Sequence, residues 1–212
     1  MIPFSPEVFF ALFEEYNLAI WPAQIVAYVL GLLVLGLVFR PSVSGNRFIG
    51  AILAIFWLGN GIAYHWLYFM PINFAAPLFA VLFVIEALIL WWRFIIRGDL
   101  TFRFHRDIAG AAGVTLMIFA MVIYPLLGMA SGHNWPQAAM FGVAPSPMVI
   151  FTFGVLLLAT PRVPIVPIVI PVMWALISGS AAWFLDIPED VSLPLAGVVA
   201  VFVLVRKNRR AS

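Results

Sequence analysis

The chain has no cysteine, which excludes disulfides and thiolate metal sites and leaves the redox compartment open. Charge is nearly as scarce, at 9% of 212 residues. A soluble domain of that make-up would show too much apolar surface to water. There is no Walker loop, no GxSxG, no HExxH and no CxxC, so none of those nucleotide, hydrolase, metalloprotease or redox chemistries has sequence support. The N-terminal MIPFSPEVFF holds no Lys or Arg before the first apolar run. It therefore lacks the basic n-region of a signal peptide. The last apolar run has no lysine, which excludes a retinal Schiff base. The basic tail RKNRR reads as a topology and lipid-headgroup anchor rather than a nucleic-acid site.

Hydrophobic residues, in contrast, make up 65% of the chain. The composition predicts an all-α, polytopic membrane protein, one transmembrane bundle over residues 1–212 with no soluble domain. Residues 5–16 read as a short interfacial helix, with Ser5 as cap, Pro6 at its first position and Glu7 facing the positive dipole end. Seven spans come after it, at about 17–39, 48–69, 72–96, 108–127, 147–159, 165–184 and 193–205. Each long run approaches the roughly 20 residues that a membrane crossing needs. The fifth and seventh are short.

Charge placement supports an odd number of spans. In a seven-span arrangement all eleven Lys and Arg residues fall on one side. Six of the nine acids, Glu7, Glu14, Glu15, Asp186, Glu189 and Asp190, fall on the other. By the positive-inside rule the N-terminus is outside and the C-terminus inside. Six or eight spans would break this segregation. The seven runs do not divide into similar halves, which weakens an inverted-repeat transporter reading.

Small residues recur four apart as Ala109/Gly113, Ala175/Gly179, Ser178/Ala182 and Ala196/Ala200. Such pairs let helices approach closely. Packing within the bundle is the favoured reading, and a homo-oligomer face is the alternative. Pro161, Pro164, Pro167 and Pro171 enter the sixth run. They predict an extended connection before a helix starting near Pro171, with a broken cavity-lining helix as the alternative.

Polar residues at membrane depth are costly and usually face an interior or a wet cavity. They concentrate in Trp57–Glu86, an expected helical hairpin turning at Pro71. Asn60 shares a helical face with Tyr64, whereas His65 points about 100° away. His65 and Asn73 come near the outer end of the hairpin, and Glu86 lies in the inner half. A direct His65–Glu86 pair is not expected. Glu86 is the one formally charged residue deep in a span. It reads as a proton or ion relay, or as a neutral acid bonded to a neighbouring helix or reaching toward Arg93. His65 reads as an interfacial residue hydrogen-bonded near the headgroups, or with His133 and an outer carboxylate as a zinc-like divalent site. His105 is on the inner side and cannot join them. The 17-residue uncharged segment SGHNWPQAAMFGVAPSP (131–147) is long enough for a lid or plug. The alternative is an interfacial loop anchored by Trp135. Gln24 and Tyr124 add polar groups to the outer half, and Thr152, Ser178 and Trp183 are placed to complete a wall there.

At WPAQ (21–24), YHWLYFMPINFAA (64–76), GHNWPQAAMFGVAPSPMVIFTFG (132–154) and SGSAAWFLDIPED (178–190), the chain resembles a family of small bacterial inner-membrane proteins classed as a domain of unknown function. The resemblance covers nearly the whole chain. It implies a seven-helix protein of the bacterial inner (plasma) membrane and supplies no activity. From the residues, the leading expectation is transport or permeation of a small solute or ion through an outward-facing pocket. Gln24, Asn60, Tyr64, His65, Asn73, Tyr124, His133 and Trp135 are the candidate ligand contacts, and Glu86 is an inner relay. The alternatives are a metal-dependent intramembrane enzyme with His65 and His133 as ligands, and a ligand-sensing or accessory subunit. The expected partners are the lipid bilayer and the solute, with no nucleic acid.

Overall fold

The computed structural model describes residues 3–185 and 187–210, with no account of the Arg210 side chain. Asp186, one of the acids considered above, lies outside the described residues. Among the described residues the regular structure is helical apart from one two-residue ladder. Helix α1 is Pro6–Ala19, α2 is Ala23–Leu37, and α3 is Val43–Gly59, continued by a π-helix over Asn60–Phe69. Helix α4 is Ala76–Trp91, with a π-helical end at Trp92–Arg97. Helices α5 (Ile108–Ile118) and α6 (Tyr124–Ala130) are joined by a π segment, Phe119–Ile123. Helix α7 is Pro145–Leu158 and α8 is Val166–Leu185. A 3₁₀ turn at Pro188–Val191 leads into α9, Ser192–Arg210.

Five helical stretches among the described residues are long and apolar enough to cross a membrane, and six if α1 and α2 count as one bent span. The first expected run, 17–39, is the one most changed. The chain bends by 83° between α1 and α2, so residues 17–19 belong to the preceding helix. Pro22 sits at the break, and a proline disfavours helical geometry in the residue before it. The fourth and seventh runs extend further than expected, to Ala130 and Arg210. The third starts later, because the Asn73 side chain accepts from the Ala75 N–H (2.9 Å) in the turn. The sixth run is one continuous helix from Val166 with Pro171 inside it, not a helix starting near Pro171. Pro167 falls in its first turn, where an amide is not needed. The backbone hydrogen bond lost at Pro171 is tolerated within a packed bundle.

Helix α7 is the hub. All 14 of its residues are buried. At 1.5 Å per residue it is about 21 Å long, shorter than the roughly 30 Å of a hydrocarbon core. It reaches no lipid because other helices enclose it. Its closest neighbour is α5. A Cβ added to Gly113 would lie 2.8 Å from the Gly154 carbonyl oxygen, and one added to Gly154 would lie 2.7 Å from that of Gly113. Gly179 approaches Pro194 of α9 in the same way. These small residues therefore serve packing inside the chain. Trp57 Nε1 donates to Thr152 Oγ1 on α7 (3.0 Å). Replacing Thr152 by valine should leave that buried indole without an acceptor and cost about 1–2 kcal/mol. Denaturation in mixed micelles measures it, with Thr152→Ser expected to stay within error of wild type.

The two ends of the bundle are stitched differently. At one end, strands β1 (Thr101–Phe102) and β2 (Ala159–Thr160) pair antiparallel. Phe102 N donates to Asn46 Oδ1 (2.9 Å) and Phe104 N to the Val38 carbonyl (2.8 Å). Lys207 Nζ donates to the carbonyls of Leu157 and Ala159 (2.7 and 2.5 Å), a cation placed at the negative end of α7. The basic loops thus come together. At the other end, α1 folds across the loop between α6 and α7. Asn17 Nδ2 donates to the Pro136 and Ala138 carbonyls (2.7 and 2.8 Å), and the Tyr16 hydroxyl to the Val143 carbonyl (2.9 Å). Gln137 Nε2 donates to Glu14 (3.0 Å).

Candidate functional site

The end covered by α1 holds a cavity of about 360 Å³. Its walls come from α1, the π-helix after α3, the start of α4, α6, the start of α7, α8 and the 3₁₀ turn. Phe9, Phe10 and Phe13 of α1 contribute one wall, Phe79 and Trp174 another. Phe74 and Phe184 stand at its rim, 85% and 72% exposed, while Tyr124 is 1% exposed. The cavity therefore runs from the surface to a buried floor.

That floor is polar. The Tyr124 hydroxyl donates to Asp190 Oδ1. Ser178 Oγ donates to Asp190 Oδ2 (3.0 Å) and is 3.1 Å from Ser146 Oγ. Asp190 is thereby held by hydroxyls from two other helices, and Ser146 brings in the first turn of α7. Beside it, Glu189 Oε1 lies 2.9 Å from His133 Nδ1. The His133 ring stacks on Phe10 at 4.0 Å. Glu189 is 3% exposed, and its second oxygen, Oε2, has no hydrogen-bond partner. Two buried carboxyl groups therefore sit at the bottom of a mainly apolar chamber rich in aromatic rings. No Lys or Arg is among the described residues that line it.

The expected contact residues divide into three groups. Tyr64, Asn73 and Tyr124 line the cavity. His133 does not line it but holds Glu189 in place. The others serve elsewhere. Gln24 Nε2 donates to the Asn17 carbonyl (2.9 Å) and braces the bend between α1 and α2. Asn60 Nδ2 donates to the Phe56 and Gly142 carbonyls (2.9 and 3.0 Å), tying the loop to the π-helix. Trp135 packs edge-on against Trp21 at 5.6 Å, and both are half exposed. Of the expected wall residues, Ser178 is present, Thr152 faces Trp57 instead, and Trp183 is 85% exposed.

His65 is not a headgroup-bonded residue. It is fully buried among the rings of Tyr64, Phe69, Phe79, Phe83 and Trp174, with neither ring nitrogen partnered. The aromatic side chains crowd the imidazole before it reaches any polar atom. No group of three His, Asp or Glu side chains able to hold a metal occurs among the described residues. Glu86 is fully buried with both carboxyl oxygens unpartnered. It does not reach Arg93, which pairs with Asp99 at 3.2 Å. His105 lies at the opposite end, where partial burial and the Arg103 charge lower its pKa.

Ser146, Trp174 and Gln137 were not expected as a site, and Glu189 and Asp190 were expected only among the outer carboxylates that could join His133, as Glu189 does without His65. A signal existed for the two acids. In IPEDVS the acids follow a proline and precede an apolar helix, which is where acids suit a helix N-terminus. That reading assigns them to a surface cap, and nothing local indicates that they turn inward.

The helical architecture and the helices long and apolar enough to cross a membrane fit a multi-pass membrane protein. Residues 6–212 match the Family of unknown function (DUF6064), and the chain belongs to that family. Comparison with curated proteins and with solved structures finds no match.

Proposed function

We propose that the protein crosses the bacterial inner membrane seven times, N-terminus outside, and moves a small solute or ion through the α1-covered cavity. The seven traverses are the five long helices together with α2 and the enclosed α7. The gathering of basic loops at one end and of Glu14, Glu189 and Asp190 at the other supports this orientation. The observation that carries the transport reading is the acidic floor, because buried carboxylates lining an otherwise apolar cavity suit a substrate or ion route. Glu86 on α4 is a second station. It is an unpartnered buried acid that the bundle would pack better without.

The test is flux into proteoliposomes by wild type and Glu86→Gln. Transport predicts a reduction of about tenfold or more in Glu86→Gln, with unchanged thermal stability. Equal flux in the two proteins removes Glu86 from the route. Absence of flux for every solute that the purified protein binds removes transport. A ligand-sensing or accessory role is the second reading, favoured by the complete burial of α7 at the bundle centre. It predicts binding without flux.

A further inference from the structure

We propose that the cavity binds an organic monocation with an apolar body, an amphiphilic amine or quaternary ammonium. This rests on the cavity being a ligand site and names the ligand class that it takes. The argument starts from charge. Glu189 and Asp190 bring two carboxyl groups to the floor, and among the described residues the basic side chain that touches them is His133, on Glu189 Oε1. The Oε2 atom of Glu189 is buried and unpartnered. An oxygen in that position calls for a donor or a cation. Asp190 has its own donors in Tyr124 and Ser178. It therefore keeps its place without a ligand and sets a second carboxyl group beside the buried, unpartnered oxygen of Glu189.

The remaining surface selects the rest of the molecule. Phe9, Phe13, Phe79 and Trp174 offer ring faces and edges, which favour apolar groups and attract cations when water is excluded. A small hydrated metal ion would gain nothing from such walls, and an anion would meet the carboxylates. The rim points the same way. Phe74 and Phe184 are exposed, so the mouth itself is apolar and admits a molecule that partitions to the membrane interface. A neutral lipid chain would fill the aromatic part and leave Glu189 Oε2 unsatisfied. A cation with an apolar body satisfies both.

Three compounds of one shape and different charge test this: benzyltrimethylammonium, its neutral carbon isostere neopentylbenzene, and the anion benzylsulfonate. Saturable binding of labelled benzyltrimethylammonium to purified full-length protein in nanodiscs is measured, with the other two as competitors. The cation should bind at least about tenfold more tightly than the neutral isostere, and the anion should not compete. Glu189→Gln and Asp190→Asn should each weaken cation binding by about tenfold or more and leave the neutral compound unaffected. The comparison among ligands on wild type stands even if a variant folds poorly. No saturable cation binding, or equal competition by the neutral isostere, overturns the proposal. Flux of benzyltrimethylammonium is followed in parallel. Binding without flux keeps the ligand class and removes transport for it. Flux of a neutral or anionic solute, with no cation binding, keeps transport and overturns the ligand class.

Discussion

Replacing Gly154 by leucine should leave almost no folded protein. Gly154 lies in α7, which is buried along its whole length. A Cβ there would stand 2.7 Å from both the Gly113 carbonyl oxygen and Met117 Cγ, and 3.0 Å from the Met117 nitrogen. Two of these neighbours are backbone atoms that cannot rotate aside. Overpacking of a tight core costs about 1–3 kcal/mol when side chains can adjust. Here the helix would have to move, and it is enclosed on every side. Even Gly154→Ala should lower stability by an amount in that range. The reciprocal Gly113→Ala should do the same. Gly36 is the internal control, since a Cβ added there meets nothing within 4 Å. Gly36→Ala should be neutral or gain up to about 1 kcal/mol from helix propensity. Monodisperse yield from membranes and the unfolding midpoint report all four. Wild-type yield and midpoint for Gly154→Leu would show that α5 and α7 do not pack as described.

Asp190→Ala should produce the second large loss. It strips the acceptor from the Tyr124 hydroxyl, which is fully buried, and from Ser178. Each donor left unsatisfied costs about 1–3 kcal/mol. Both donors keep Ser146 as a neighbour, at 3.1 Å from Ser178 and hydrogen-bonded to Tyr124, so the loss should be shared between them. A double-mutant cycle separates the two contributions. Removing the Tyr124 hydroxyl in the Asp190→Ala background should restore part of the stability, because an orphaned donor costs more than a missing pair. The expected result is a marked positive coupling in the unfolding midpoint. Additive losses, or an Asp190→Ala protein as stable as wild type, would remove the network from the structure. Asp190→Asn retains one acceptor oxygen and should lose less stability than the alanine variant.

The fold was legible where composition alone decides it. Long apolar runs in a chain of 9% charge favour helices, which satisfy every backbone donor within the segment. The hairpin turn after Phe69 fell beside Pro71, as turn chemistry places it, whereas α7 starts at Pro145, two residues before the expected fifth run. The boundary between α1 and α2 was signalled only by Pro22, and the uncharged residues 17–22 otherwise run into α2 without interruption. The continuity of α8 through Pro171 was not legible either. Proline reports a lost hydrogen bond, whereas the packing that compensates for it belongs to neighbouring helices.

The site was half legible. Tyr64, Asn73 and Tyr124 were identified because polar groups at membrane depth are rare. His65 and Gln24 were identified by the same rule, yet the first sits in a ring cage and the second in a helix joint. Rarity marks a residue as constrained and does not say by what. Part of the difference lies in the π-helix over Asn60–Phe69. Its wider i→i+5 turn changes which side chains share a face, so spacing reckoned at 3.6 residues per turn misplaces them.

What residue order settles here is the helical, largely apolar class of the chain and the presence of several runs long enough to cross a membrane. These come from transfer energies that add up along a segment and need no partner. What only the folded chain settles is which groups meet. Tyr124 and Asp190 are 66 residues apart, and Tyr16 and Val143 are 127 apart. Their meeting depends on how each helix is rotated and how deeply it sits against the others. In helices apolar on all sides, hydrophobic periodicity does not encode that rotation. Close approach at Gly113 and Gly154 and a few polar bonds set it instead. Both are interactions between distant segments, so the acidic floor of the cavity exists only once those segments have packed.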